Sequence, residues 1–530
     1  MNDDMVYLAR NVVAEPLIDQ WYAWAHLIPP ATAARNIVGR HLKIMESYVA
    51  APQVHAAAVK NPMLLGGPFV DLEGEPVDEV RQCIDWTRRE RAPWLELDAA
   101  ITALDQLLLA EATGMSLEPL YPRVPEPLRG RVELVYDLNG HPSFRLIEPL
   151  FYRSPLYEPS MQSFVLSPTT QDDRPFILST PRLIGESDLQ LKIPFANPAV
   201  DLMFSRTRTP GPAGELIDAL GLDSSEAAAF RTLLTDQPPP PYQRYAGRGL
   251  RWRYFGHACI LIEAAEATIL LDPVLSYRYE TDISRYTFED LPDRIDYVLI
   301  THNHQDHIML ETMLQLRHRI GTVVVPRSGG GKLQDPSLRL LLEAIGFSSV
   351  VELAEMQTIR EGRVEITGLP FLGEHGDLDI PTKLAYHMRI GERTVLAAAD
   401  SCNIEPELYR HLHRALGDVD VLFLGMECDG APMSWIYGPL LTRPLARRFD
   451  QSRRLAGSNF EQAIDIVTAM GCRQVYVYAM GQEPWLRYVM SKVYTEESQP
   501  IVASNRLVSR CRAQGMPSER LFGEKEILLD

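Results

Sequence analysis

The densest chemistry in the chain lies in Thr301-His302-Asn303-His304-Gln305-Asp306-His307, where three imidazoles and a carboxylate fall within six positions. Histidine nitrogen and carboxylate oxygen are the common ligands of divalent transition metals. The segment follows the apolar run Tyr297–Ile300. A loop leaving that strand can aim the alternating His302 and His304 at one ion and turn Asp306 and His307 towards a second, a few ångström away. So many ionisable groups would be poor filler for a core or a helix. A further histidine, His257 in Gly256-His257-Ala258-Cys259, reads as a structural residue or a support for ligands rather than a ligand. Gly329-Gly330-Gly331-Lys332 fails as a phosphate loop, because Pro326 stands where the first glycine belongs and Leu333 where Ser or Thr belongs. It reads as a flexible loop. No Gly-x-Ser-x-Gly nucleophile elbow occurs.

The elements that must position these residues divide into two halves. Asp236-Gln237-Pro238-Pro239-Pro240-Pro241-Tyr242 stops both helix and sheet, since proline fixes φ and lacks an N–H. This gives an N-terminal mixed α+β domain at 1–237, a proline-rich linker at 238–247 and a second domain at 248–530. In the first, helical spacing runs over 33–50, 94–110 and 213–235, and β-rich runs cover Val132–Leu138, Ser163–Leu166 and Leu189–Ile193. It shows no catalytic motif and reads as a scaffold or partner-binding unit. In the second, strand runs (Trp252–Glu263, Thr268–Leu271, Tyr297–Ile300, Thr322–Val325, Ser349–Leu353, Val364–Leu369, His387–Ile390, Thr394–Ala398, Val419–Leu424) alternate with helices at 308–316, 336–346 and 405–416. That is the pattern of a layered α/β domain. The loop after Val419–Leu424 offers Trp435 and Tyr437 as walls of an aromatic substrate pocket. Arg443 and Arg447, four apart, would share one face if helical and could hold a phosphate or an acidic helix.

Composition narrows the class. The 530 residues carry 52 basic and 70 acidic side chains, a formal charge of −18, which argues against sequence-independent binding to nucleic acid or an anionic membrane. No apolar run approaches a membrane span, and the first residues lack the apolar stretch of a secretory signal. Six cysteines without a Cys-x-x-Cys pair are expected to be reduced thiols of a cytoplasmic protein.

His-x-His-x-Asp-His after a strand and before a helix resembles the signature of the metallo-β-lactamase superfamily. The resemblance covers about residues 248–490 and implies an αββα sandwich with a dinuclear site at one edge of the sheets. The superfamily pattern places a metal-bridging carboxylate at the end of a later strand, where Thr394-Val395-Leu396-Ala397-Ala398-Ala399-Asp400 supplies Asp400. One more ligand falls between these motifs, in Pro370-Phe371-Leu372-Gly373-Glu374-His375-Gly376-Asp377. Glu374 and His375 are adjacent and point to opposite sides of an extended chain, so one of them binds; spacing alone leaves the choice open. Most hydrolytic members also carry a late histidine, but none follows His413, and His411 and His413 lie on different sides of a helical pattern. The second ion is therefore expected to have an incomplete protein shell.

If Glu374 is the ligand, three imidazoles and three carboxylates form the site, and hard oxygen donors shift preference from zinc towards iron or manganese. With that shell the chain resembles the diiron β-hydroxylases of nonribosomal peptide pathways, the group typified by the chloramphenicol-pathway aminoacyl β-hydroxylase. The resemblance implies two iron ions held by His302, His304, Asp306, His307, Glu374 and the bridging Asp400, with O2 as cosubstrate and an external electron donor, a reductase or ferredoxin. It implies hydroxylation at Cβ of an amino acid, of an aromatic kind such as p-aminophenylalanine, tethered through phosphopantetheine to a carrier domain in antibiotic biosynthesis. It also implies a homodimer whose N-terminal half serves dimerisation and carrier docking. The alternatives are a dinuclear zinc hydrolase of the superfamily and a carrier-binding scaffold that keeps only the fold.

Overall fold

The computed structural model describes residues 5–185 and 188–529. Residues 250–529 build two seven-stranded sheets. The first runs, in spatial order, Val350–Leu353, Ile320–Pro326, Ile295–Leu299, Thr268–Leu271, Ile260–Glu263, Leu250–Tyr254 and Lys525–Leu529. The second runs Thr358–Glu361, Val364–Leu369, Ala385–Ile390, Arg393–Ala397, Val421–Gly425, Gln474–Tyr478 and Ser518–Arg520. Strands joined by tight turns pair antiparallel, as at Leu250–Tyr254 with Ile260–Glu263. Strands separated by a helix pair parallel, as at Ile295–Leu299 with Ile320–Pro326. The sequence reading of Trp252–Glu263 as one strand is corrected here. Gly256 at φ +112° and His257 at φ +50° fold it into a hairpin, which continuous apolar character conceals.

Alternation along each strand sorts side chains into layers. Trp252, Ile260, Ile262 and Ile269 of the first sheet face Ile366, Met388, Val395 and Phe423 of the second. The Trp252 ring meets Phe423 and Tyr476 edge-on at 5.0 and 4.7 Å. Helices Glu407–Leu416, Phe460–Ala469 and Gln499–Ala513 cover the outer face of the second sheet. Leu310–Leu316 and Leu338–Ala344 cover the first. The expected αββα sandwich is present.

All seven residues of Leu310–Leu316 are buried, because the N-terminal half packs over that helix in one continuous apolar cluster. This half is mixed α+β, as expected. It holds an antiparallel sheet ordered Trp21–Tyr22, Val12–Ile18, Gln162–Pro168 and Leu189–Leu191, and the helices Val77–Glu90 and Ala92–Glu111. A buried polar network crosses between the halves. Arg174 contacts Glu15 at 2.5 Å and Glu311 at 2.7 Å, Arg182 contacts Glu15 at 2.6 Å, and the hydroxyls of Tyr22 and Tyr277 donate to Glu311 at 2.8 and 2.6 Å. These cations outweigh the effect of burial and hold the Glu15 carboxyl down at about 2. The triple glycine is part of the same seam. Leu146 N–H donates to Gly331 O at 2.7 Å, and a Cβ on Gly331 would lie 1.9 Å from Leu146 O. Its glycines serve close approach of two backbones. The proline-rich segment is pinned as well, with the Tyr242 hydroxyl on Glu263 and accepting from Arg253 at 2.8 Å.

The helical run at 30–50 contains a π-helical stretch, Ile37–Leu42, a form that recurs at functional sites. It carries Arg40 to the 435–437 segment, where the guanidinium donates to the carbonyls of Trp435 and Ile436 at 2.5 and 3.2 Å. Gly39 allows that approach, since a Cβ there would sit 3.0 Å from Pro439 O.

Candidate metal centre

The strand Ile295–Leu299 ends inside the sandwich edge, and the loop after it delivers His302, His304, Asp306 and His307, all nearly or fully buried. Asp272, at the end of the neighbouring strand, organises that loop. It accepts from Thr301 N–H at 2.7 Å and Thr301 Oγ1 at 2.6 Å, and lies 2.8 Å from His307 Nδ1. A proton on Nδ1 directed at Asp272 leaves His307 Nε2 as the free lone pair. Asp400 arrives from the second sheet, at the end of Arg393–Ala397. Its Oδ2 lies 2.9 Å from His307 Nε2 and 3.7 Å from His302 Nε2, so it stands between the two groups of ligands. Gly425 makes room for it: a Cβ there would meet Asp400 Oδ1 at 2.3 Å.

Glu374, not His375, faces the cluster. Glu374 Oε1 is 3.2 Å from His304 Nδ1, which is 3.1 Å from His302 Nε2. His375 turns away, with Nδ1 2.8 Å from the Tyr437 hydroxyl. That hydroxyl also lies 2.9 Å from His304 Nε2. A proton on His304 Nε2 donated to Tyr437, and the Tyr437 proton donated to His375, together present His304 Nδ1 to the site.

Three sets of donors have mutual distances within 4.8 Å: His302, His304 and Glu374; His302, His307 and Asp400; and His257, Asp306 and His307. Two donors bound to one ion at about 2.1 Å and at right-angled to tetrahedral geometry lie about 3.0–3.4 Å apart. His304–Glu374, His307–Asp400 and His257–Asp306, the last at 3.1 Å, match that spacing. His307 Nε2 and Asp400 Oδ1 are buried without a hydrogen-bond partner. Such atoms are costly unless something satisfies them. The residues present thus fit a pair of metal ions, with Asp400 between them.

Electrostatics agree. Burial first, then the neighbouring Asp400 and Asp306, push the Glu374 carboxyl up to about 7. Burial opposes ionisation of Asp306 too, but His307 and His257 outweigh it and hold that carboxyl down. His302 is driven towards its neutral, ligating form by burial and the surrounding imidazoles. Backbone strain concentrates at the same place: His257, Asp272, Glu374, Ala399 and Ala479 all have positive φ, as strand ends bent towards a site do.

The site forms the floor of a cavity of about 700 Å³. Trp435, Pro432, Leu455 and Met490 wall it on one side, and Met63–Phe69 of the N-terminal half on the other. Trp435 Nε1 donates to Gly66 O at 2.8 Å and ties the two walls. Arg447 and Lys492 also line it. Of the four substrate candidates, Trp435 and Arg447 line the cavity. Tyr437 is buried behind His304 with its hydroxyl engaged by two histidines. Arg443 lies outside the cavity lining, 3.9 Å from Asp105. The helix begins only at Arg447, after Pro444, so Arg443 and Arg447 do not share a helix face. The sequence reading did not find the walls at 63–69, the orienting role of Asp272 or the hydrogen-bonding role of Tyr437; only the strand-terminal Asp272 left any signal.

A two-sheet sandwich whose edge gathers two overlapping His/carboxylate groups around one shared aspartate defines a dinuclear metalloprotein of the β-lactamase superfamily. Residues 267–478 match the Beta-lactamase superfamily domain, and residues 7–238 match the Diiron non-heme beta-hydroxylase N-terminal domain. The chain is 43% identical over 98% of its length, and 99% of the relative's, to the 4-amino-L-phenylalanyl-[CmlP-peptidyl-carrier-protein] 3-hydroxylase of Streptomyces venezuelae. It is also similar to the crystal structure of CmlA, a diiron β-hydroxylase from the same organism, with a TM-score of 0.93, 42% identity and 99% of both chains covered. A glutamate-to-aspartate variant of CmlA matches with a TM-score of 0.91 and 41% identity over 99% of this chain and all of the other. The chain belongs to the diiron non-heme β-hydroxylases. It is an oxygen-dependent diiron enzyme, and the zinc-hydrolase alternative does not describe it.

Proposed function

We propose that the chain hydroxylates Cβ of an aromatic aminoacyl group, p-aminophenylalanyl or a close analogue, carried as a phosphopantetheine thioester on a nonribosomal peptide synthetase carrier domain in antibiotic biosynthesis. The observation that carries this reading is the cavity: an oxygen-rich metal floor under apolar and aromatic walls, with cations at 447 and 492. The S. venezuelae relative acts on a carrier-bound 4-amino-L-phenylalanyl group, as its name states. When bound, the two iron ions supply O2 activation, with two electrons drawn from an external reductase or ferredoxin.

The chain's own residues do the rest. His302, His304, Asp306, His307, Glu374 and Asp400 hold the metal pair. Asp272 and Tyr437 fix which nitrogen His307 and His304 present. Trp435 and Met63–Phe69 clasp the substrate side chain and exclude water from the reacting Cβ–H. Arg447, which has no ion-pair partner among the described residues, takes the phosphate of the arm; Arg443 lies farther out and meets the carrier itself. Contacts to arm and carrier orient the substrate in a way a free amino acid cannot reproduce.

Residues 1–237 supply the docking face and a homodimer contact, and 238–247 connect them to the catalytic part, 248–530. Exposed Leu109, Met115, Tyr121 and Leu138 form an apolar region around the hairpin Val132–Leu146 that suits such a contact. The enzyme works in the cytoplasm beside its synthetase. All six cysteines are free, and no described helix is long and apolar enough to cross a membrane.

The test is to supply iron-loaded enzyme, reductant and 18O2 with the carrier-loaded thioester or with the free amino acid. Label is expected at Cβ of the tethered substrate only. Equal turnover of both forms would refute the tethered reading. Light scattering that finds a monomer of 59.8 kDa would refute the dimer.

A further inference from the structure

The late histidine that most hydrolytic members of the superfamily use at the second ion is missing from this chain, yet the second group of donors is not short of imidazole. His257 sits at the hairpin between Leu250–Tyr254 and Ile260–Glu263, with 1% of its surface exposed. Its Nε2 lies 3.1 Å from Asp306 Oδ2, and its ring stands edge-on to that of His307 with centroids 5.0 Å apart. Neither ring nitrogen makes an aligned hydrogen bond. A buried imidazole that faces a carboxylate at ligand–ligand spacing, off the hydrogen-bond axis, is placed for a shared ion between them. Resting on the diiron reading, we propose that His257 is a protein ligand of the second metal, together with Asp306, His307 and the shared Asp400.

The backbone is built to hold it there. Gly256 at φ +112° and His257 at φ +50° form a turn in the left-handed region, which a histidine adopts only where its surroundings enforce it. Two contacts enforce it. Ala479 N–H donates to His257 O at 2.8 Å, fixing the turn to the end of Gln474–Tyr478. The Trp485 ring covers Gly256 so closely that a Cβ would touch it at 3.0 Å. The imidazole therefore comes from the first hairpin of the domain instead of a late strand. The ligand set becomes four imidazoles and three carboxylates, with His302, His304 and Glu374 on one ion.

The experiment uses the full chain loaded with iron, comparing the parent with His257→Gly and His257→Asn, both of which tolerate the left-handed backbone. Circular dichroism establishes folding. Iron per chain is measured after competition with a chelator, and pulsed EPR of the one-electron-reduced cluster counts coordinated imidazole nitrogens. Expected results are second-site affinity at least about a hundredfold weaker, beyond the upper end of what removing a partner of a ligand costs, one class of imidazole nitrogen fewer, and recovery of the second iron in His257→Gly on adding imidazole. Two tightly held irons with an unchanged EPR pattern in folded variants, or iron loss that imidazole does not restore, would overturn it. A parent that binds no iron pair would instead refute the diiron reading itself.

Discussion

Glu148 offers a quantitative test of the seam between the two halves. It opens the short helix Glu148–Tyr152 and is buried against the 329–337 loop, where its Oε2 accepts from Ser337 N–H at 2.9 Å. Burial, reinforced by Asp335 and Glu352, raises its pKa from 4.5 to about 7 despite that hydrogen bond. At 1.36 kcal/mol per pKa unit this is a penalty of about 3 kcal/mol against the ionised side chain. The sign follows from proton uptake. Between pH 4.5 and 7 the native state keeps a proton that the unfolded chain has released, so stability falls as pH rises through this window; above it the penalty is constant. Asp335, raised to about 6 by burial, titrates with it and spreads the transition. Glu148→Gln keeps a carbonyl oxygen for Ser337 and removes the charge. The variant should exceed the parent by up to about 3 kcal/mol at pH 8 and match it near pH 4.5. Urea unfolding of both proteins at four pH values measures the difference. A difference independent of pH, or a less stable glutamine variant at pH 8, would refute the argument.

Glu374→Ala should lose iron and activity by orders of magnitude while His375→Ala keeps the cluster, as metal analysis of the two proteins would record; the opposite pattern would move the ligand to His375. Tyr437→Phe removes the acceptor for His304 Nε2 and should weaken iron binding about 10–100-fold in chelator competition, with the fold unchanged by circular dichroism. Arg174→Met strips Glu311 of its cation in a buried setting and should cost about 3–5 kcal/mol in urea unfolding; a loss under 1 kcal/mol would show the tyrosines suffice. Gly331→Ala drives a Cβ into Leu146 O and should cost about 1–3 kcal/mol, read as a lower unfolding midpoint.

The metal centre was legible where ligands crowd a short stretch of sequence. His302, His304, Asp306 and His307 announce themselves because no core would accept them together, and Asp400 because a β-run ends on it. His257 was not, since a lone histidine beside glycine has the same local signature whether it packs or binds; what separates the two is the position of Asp306, some fifty residues on. Tyr437 reads as a pocket aromatic, and only the tertiary fold turns its hydroxyl towards two histidines. In the catalytic part most strands follow from alternation and apolar runs. The strand Val12–Ile18 is different: it is buried throughout with Glu15 in its middle, which hydrophobic periodicity rejects, because the arginines that neutralise Glu15 come from about 160 residues away. The π-helical stretch at 37–42 leaves no periodic trace either.

The roof at Met63–Phe69 and the ligands beneath it belong to opposite halves of the chain, bound by different parts of the core. Changes at Met63, Leu64 or Phe69 can reshape the space above the metals without altering any residue that holds them. Selectivity and reactivity can thus vary separately: a lineage, or a directed-evolution library confined to seven positions, can explore new side chains for oxidation while inheriting an intact oxygen-activating machine.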